Sequence, residues 1–95
     1  MPTRFSEKDI QWNTEKNQIL KQERGVGFED ILVAIAEGRG IKIQEAHYNE
    51  DKYPNQKIVY VEIGHYVYIV PFIEDEEHIF FKTIIPSRKH TKLFL

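Results

Sequence analysis

The sequence predicts an α+β domain in which two N-terminal helices pack on one face of a three- to four-stranded antiparallel sheet, in the order β-α-α-β-β-β. Three observations predict it. Phe28, Ile31, Leu32 and Ile35 recur at i, i+3, i+4 and i+7, the spacing of one apolar helix face. Residues 57–63 and 66–73 are two runs rich in β-branched and aromatic side chains, separated by Gly64-His65, which reads as a hairpin. Phe80-Phe81-Lys82-Thr83-Ile84-Ile85 is a third such run, halted by Pro86, whose nitrogen has no hydrogen to donate to a ladder.

Taken in order, residues 5–12 alternate weakly, with Ile10 and Trp12 set against Asp9 and Gln11, and predict a first strand. Asn13 or Thr14 then caps a helix over 14–24. Its apolar stripe is narrow, anchored by Ile19 and Leu20, and suits a helix that covers a sheet edge. Gly25-Val26-Gly27 breaks it. The second helix, over 28–37, places Glu29 and Asp30 in its first turn, at the positive end of the helix dipole. Gly38 or Gly40 supplies its left-handed cap. These glycines follow no strand in a G-x-G-x-x-G pattern and so form no phosphate cradle.

The rest reads as sheet. Residues 41–46 predict a strand, 47–56 a polar connection with a turn signal at Tyr53-Pro54-Asn55, and 74–78 an acidic turn. Pro71, inside an otherwise continuous strand, predicts a bulge or a gap in pairing. The hairpin register stays open. A two-residue turn sets Ile63 opposite Tyr66 and puts Val59, Val61, Tyr68, Val70 and Phe72 on one face. A three-residue turn flips one strand, gathering the aliphatics toward the helices and leaving Tyr60, Glu62 and Tyr68 outside.

Ninety-five residues allow one core, and 41% apolar against 29% charged residues describes a globular chain. The N-terminal residues lack the apolar core of a signal peptide and no apolar run is long enough to cross a bilayer, so a cytoplasmic protein without membrane contact is expected. Without cysteine there is no disulfide and no thiolate metal site. The net charge of −2 is unevenly spread. Residues 1–78 carry nine Lys and Arg against fifteen Asp and Glu, a balance of −6, whereas residues 79–95 carry four basic residues and no acid, +4. That distribution fits a local polyanion site and argues against a domain that coats DNA without specificity.

Three stretches carry a resemblance. They are Trp12-Asn13-Thr14-Glu15-Lys16, Arg24-Gly25-Val26-Gly27-Phe28-Glu29-Asp30, and Ile84-Ile85-Pro86-Ser87-Arg88. In these the chain resembles the toxins of bacterial type II toxin–antitoxin modules with the RelE/ParE-like fold, and most closely the BrnT-type toxins. Asn13 stands where that family has Asp, and Phe72 where it often has a polar residue. The resemblance implies a small endoribonuclease that cleaves messenger RNA, in a ribosome-dependent manner or alone. It also implies a ribbon-helix-helix (CopG-like) antitoxin as partner, in a dimer or heterotetramer. The alternative is a module of the same fold that lost its active site and serves protein interaction; a third reading is ParE-like inhibition of a topoisomerase.

RNA cleavage by the ribose 2′-hydroxyl needs a base, a cation to steady the phosphorane and an acid for the leaving oxygen, and no metal or other cofactor. Arg88, at the end of the last strand, is the candidate phosphate grip because its fork matches phosphate oxygens. Lys57 occupies the place of a basic residue in the family's matching strand, and His47 and His90 are of the residue type that titrates near neutrality, which makes these three, with Tyr60, the acid–base candidates. Lys82 and Lys89 are candidate RNA-backbone contacts, and Tyr60 and Tyr68 candidate base-stacking rings. No H-x-x-x-H or comparable pair indicates a metal site, and no G-x-S-x-G indicates a serine hydrolase.

Overall fold

The computed structural model describes residues 4–95. The elements are α1 (Arg4–Glu7), β1 (Asp9–Trp12), α2 (Thr14–Arg24), α3 (Phe28–Ala36), β2 (Gly40–Gln44), β3 (Lys57–Ile63), β4 (Tyr66–Glu74), β5 (His78–Phe81), β6 (Ile85–Pro86) and α4 (Arg88–Phe94). They form an α+β domain around one six-stranded, mostly antiparallel sheet of order β1-β5-β4-β3-β2, with β6 beside β4.

The sheet exceeds the three or four strands predicted, and helices lie on both of its faces. The element order is not the expected β-α-α-β-β-β, because α1 precedes the first strand and β5, β6 and α4 extend the end. The expected first strand is divided: residues 4–7 are helical, burying Phe5, and only Asp9–Trp12 pair. That strand runs parallel to β5, with Trp12 opposite Phe81, so the sheet is mixed. The basic segment after Pro86 folds into α4, with the Ser87 hydroxyl accepting the His90 N–H as an N-cap at 3.1 Å.

Helices α2 and α3 lie where their sequence signals put them. Asn13 caps α2, its side-chain oxygen accepting the Lys16 N–H at 2.8 Å. The α2–α3 corner is drawn tight by Asn17, 3% exposed, which accepts the Phe28 N–H at 2.7 Å and donates to Glu29 at 2.8 Å. A Cβ at position 27 would lie 2.5 Å from the Lys21 Cε and 2.9 Å from both the Asn17 Oδ1 and the Glu29 Oε1, so a larger residue there would have to displace the side chains that form this corner.

The hairpin takes the two-residue turn. Ile63 pairs with Tyr66 and Val61 with Tyr68, while Gly64 and His65 both adopt left-handed φ values, 60° and 61°. Val59, Val61, Val70 and Phe72 thereby join Phe28, Ile31, Leu20, Ile79 and Phe81 in the main core beneath α2 and α3. Trp12, Phe28 and Phe81 stack there, with centroids 5.6 to 6.5 Å apart. On the opposite face Ile58, Tyr60, Val67 and Ile69 form a second cluster, closed by Ile85 and by Phe94 of α4.

Pro71 interrupts the sheet as its chemistry dictates. It lies opposite Ile58 in β4 with no N–H for its other neighbour. There the closing strand breaks: Phe72 pairs with Phe81 on one side of the gap and Ile69 with Ile85 on the other, leaving one residue in excess. The Lys82 N–H donates to the Pro71 carbonyl at 2.9 Å, and Lys82-Thr83-Ile84 bow out of the ladder.

Candidate functional site

The bulge that Pro71 creates forms one wall of a cleft that reaches the start of α2. Lys82, Thr83 and Ile85 come from the bulged segment, and Pro71 from β4. His47, Tyr48, Tyr53 and Gln56 come from the 45–56 connection, and Lys16 from the first turn of α2. The cavity holds about 220 Å³. Two lysines are among its lining residues and no acidic residue is. Tyr48 is 63% exposed, so its ring is free to meet a ligand. The Lys52 ammonium stands 5.4 Å from the Tyr53 ring centroid and adds positive charge beside the same connection.

His47 is the buried member of this group, 4% exposed, with its ring 4.2 Å from Tyr48 and 4.5 Å from Tyr53. Its Nδ1 accepts the Asn49 N–H at 3.0 Å, so the neutral ring carries its proton on Nε2. Burial pushes its pKa down and favours that neutral form. His47 is thus a hydrogen-bond donor through Nε2, not a base poised to take a proton there.

An ion-pair cluster fixes the connection at both ends. The Glu74 side chain, 5% exposed, accepts from Arg4, Lys8 and Lys57 at 2.8 to 3.0 Å. Arg4 also bonds Glu45 at 2.7 Å, and Lys57 approaches Glu45 at 3.5 Å. Glu45 precedes the connection's aromatic residues and Lys57 follows them, so Glu74 holds both of its ends through shared cations.

The other sequence-derived candidates fall elsewhere. Lys57 is engaged in that cluster and does not line the cleft. Arg88 opens α4, exposed, outside the cleft lining, as is Lys89 beside it. His90 packs on Tyr60 at 4.8 Å and approaches the Ser87 hydroxyl at 2.6 Å. Burial, then the nearby Lys89 and Lys42, lower its pKa. Tyr60 is 3% exposed and donates to Gln44 at 3.0 Å, which leaves no ring face for a base. Tyr68 sits on the opposite face, packed against the main core and Tyr66, so the two tyrosines form no common platform.

Of the predicted residues, His47 and Lys82 are brought together. Lys16, Tyr48, Tyr53 and Gln56 are the residues that sequence reasoning did not assign to a site. Among the described residues no helix is long and apolar enough to cross a membrane, and no group of three or more His, Asp and Glu is placed to hold a metal ion. No family model, curated protein or solved structure matches the chain.

Proposed function

We propose that this protein is a metal-independent endoribonuclease of the bacterial toxin kind, with a RelE-like, BrnT-type fold, acting on messenger RNA and neutralised by a protein antitoxin. One observation carries the reading: Lys16 and Lys82 converge on a carboxylate-free cleft beside the exposed ring of Tyr48. Paired cations beside an aromatic face are what a single-stranded phosphodiester and its base require. The expected chemistry is attack of the 2′-oxygen on phosphorus and cleavage of the bond to the 5′-oxygen. Solvent water takes the 2′-proton and returns one to the departing 5′-oxygen, so the step balances without a protein base. Lys16 and Lys82 steady the charge on the phosphorane, and the neutral His47 ring, with its hydrogen on Nε2, offers a hydrogen bond to a phosphate oxygen and keeps its proton. Arg88 and Lys89 serve as outlying contacts to the RNA backbone.

The test is cleavage of a single-stranded RNA by the purified chain, with and without a chelator. Wild-type protein is expected to cleave in both. Lys16→Ala and Lys82→Ala should each lower the rate on the order of 100-fold, the scale for removing one charge-stabilising donor, while Arg88→Ala costs less than about tenfold. Full activity in the Lys16→Ala/Lys82→Ala double variant would remove the site. DNA damage in cells without transcript loss would favour topoisomerase inhibition.

A second reading, a non-catalytic interaction module of the same fold, is favoured by a different feature. An apolar groove of about 320 Å³ runs between α3 and the edge strand β2, lined by Phe5, Ile35, Ile41, Ile43 and Val59. Absence of any cleavage by the folded wild-type chain would support that reading.

A further inference from the structure

Lys16 and Lys82 line more than one hollow. On their other side a second depression, of about 440 Å³, is formed by Asn13, Glu15, Ile19 and Phe80 together with the same two lysines. The lysines are therefore a ridge between two basins that differ in chemistry. The first basin offers Tyr48, Tyr53, Gln56 and His47 and has no acid. The second offers the Phe80 ring, with the Lys82 ammonium 5.4 Å from its centroid, and the Glu15 carboxylate. Half-exposed Ile19 extends its apolar floor. The Asn13 side-chain oxygen is engaged in capping α2, which leaves its amide N–H groups for a ligand.

From this layout we infer that the site takes a dinucleotide unit of single-stranded RNA: one phosphate lies on the Lys16–Lys82 ridge, one base on Tyr48, and the neighbouring base on Phe80. The inference rests on the nucleic-acid reading above and deepens it. Charge decides which part of the ligand goes where. A phosphate gains from two ammonium groups on the ridge, whereas Glu15 repels it from the second basin. The same carboxylate accepts N–H donors, so that basin suits a base with an exocyclic amine. Base–aromatic stacking tolerates any sequence because every base has a π-face. Two stacking rings flanking one phosphate site therefore select for strand length more than for sequence.

The probes are AMP and the dinucleotide ApA with a 2′-O-methyl group on its first ribose, which blocks cleavage. Binding is measured by calorimetry at low salt. ApA is expected to bind at least about tenfold tighter than AMP, since one added stacked base is worth roughly that factor or more. Phe80→Ala should bring ApA down to the AMP level, and Tyr48→Ala should do the same, since each removes one of the two stacking rings. Phe80→Leu, which keeps an apolar side chain, should reproduce the Phe80→Ala result and guards against misfolding as the cause. Equal affinities for ApA and AMP, no binding of either probe, or an ApA affinity untouched by both Phe80 variants would overturn the inference. Tight ApA binding without cleavage of unmodified RNA would overturn the nuclease reading alone. Cleavage combined with neutral Phe80 variants would overturn the two-basin inference alone.

Discussion

Replacing Phe81 by alanine is expected to destabilise the protein by about 3–5 kcal/mol, the range for deleting a buried phenylalanine ring. Phe81 is 0% exposed and meets three other rings: Phe28 at 5.8 Å, Phe5 at 6.2 Å and Trp12 at 6.5 Å. Through them it joins α1, β1 and α3 to the centre of the sheet, so no single neighbour can move to fill the space it leaves. For a domain of this size the midpoint of thermal unfolding should fall by on the order of 15 °C or more. Denaturant titration should show a lower midpoint with little change in slope. Phe80→Ala provides the contrast. That ring is half-buried on the opposite face, and its loss should cost less than about 1.5 kcal/mol while altering ligand binding. A Phe81→Ala cost below about 1.5 kcal/mol would show that the aromatic stack is not the centre of the core.

The alternation between Phe80 and Phe81 shows how far the sequence could be read. The helix bounds at Asn13 and Gly25 and the break at Pro71 were legible because each depends on one residue's own chemistry: a capping amide, a residue without a Cβ, a nitrogen without a hydrogen. The hairpin register was not. Two turn lengths satisfy Gly64-His65 equally in sequence, and the choice rests on whether His65 tolerates a left-handed φ, which it does at 61°. Helix α4 was hidden for a related reason. Its contacts, His90 and Phe94 against Tyr60, exist only once the register has turned Tyr60 to that face. The cleft was half visible. The Pro71 bulge and the long polar connection were both apparent, but nothing local to Lys16 shows that a bulge distant in sequence will set Lys82 and Tyr48 around the same cavity. Conversely, Arg88 and Lys57 drew notice as cations of the right type near strand ends, where residue type alone cannot tell a ligand-facing cation from a solvated or paired one.

Glu74 is where the fold and the site meet, and Glu74→Ala is expected to cost about 2–4 kcal/mol. Removing one partner from a buried ionic cluster is costly because the opposite charges remain without compensation. Here Arg4, Lys8 and Lys57 would be left together, each with a side chain 21 to 28% exposed, so water recovers part of the loss. The pH dependence follows from the same contacts. Burial pushes the Glu74 carboxyl up, but the hydrogen bonds from Lys8, Lys57 and Arg4 outweigh burial and bring its pKa to about 2, from the usual 4.5. A carboxylate whose pKa is depressed by folding contributes stability above its unfolded value and loses it as pH falls through the folded one. Wild-type stability should therefore decline between about pH 4.5 and pH 2, with Glu74 accounting for on the order of 2 kcal/mol, and Glu74→Ala should show a visibly shallower decline. Equal acid sensitivity in the two proteins would show that the cluster contributes little. Because Glu45 and Lys57 bracket the connection that carries His47, Tyr48 and Tyr53, the variant should also weaken ApA binding at neutral pH, where it is still folded, although Glu74 does not line the cleft. An ApA affinity unchanged in folded Glu74→Ala would show that the ion pairs do not hold the tyrosines in place.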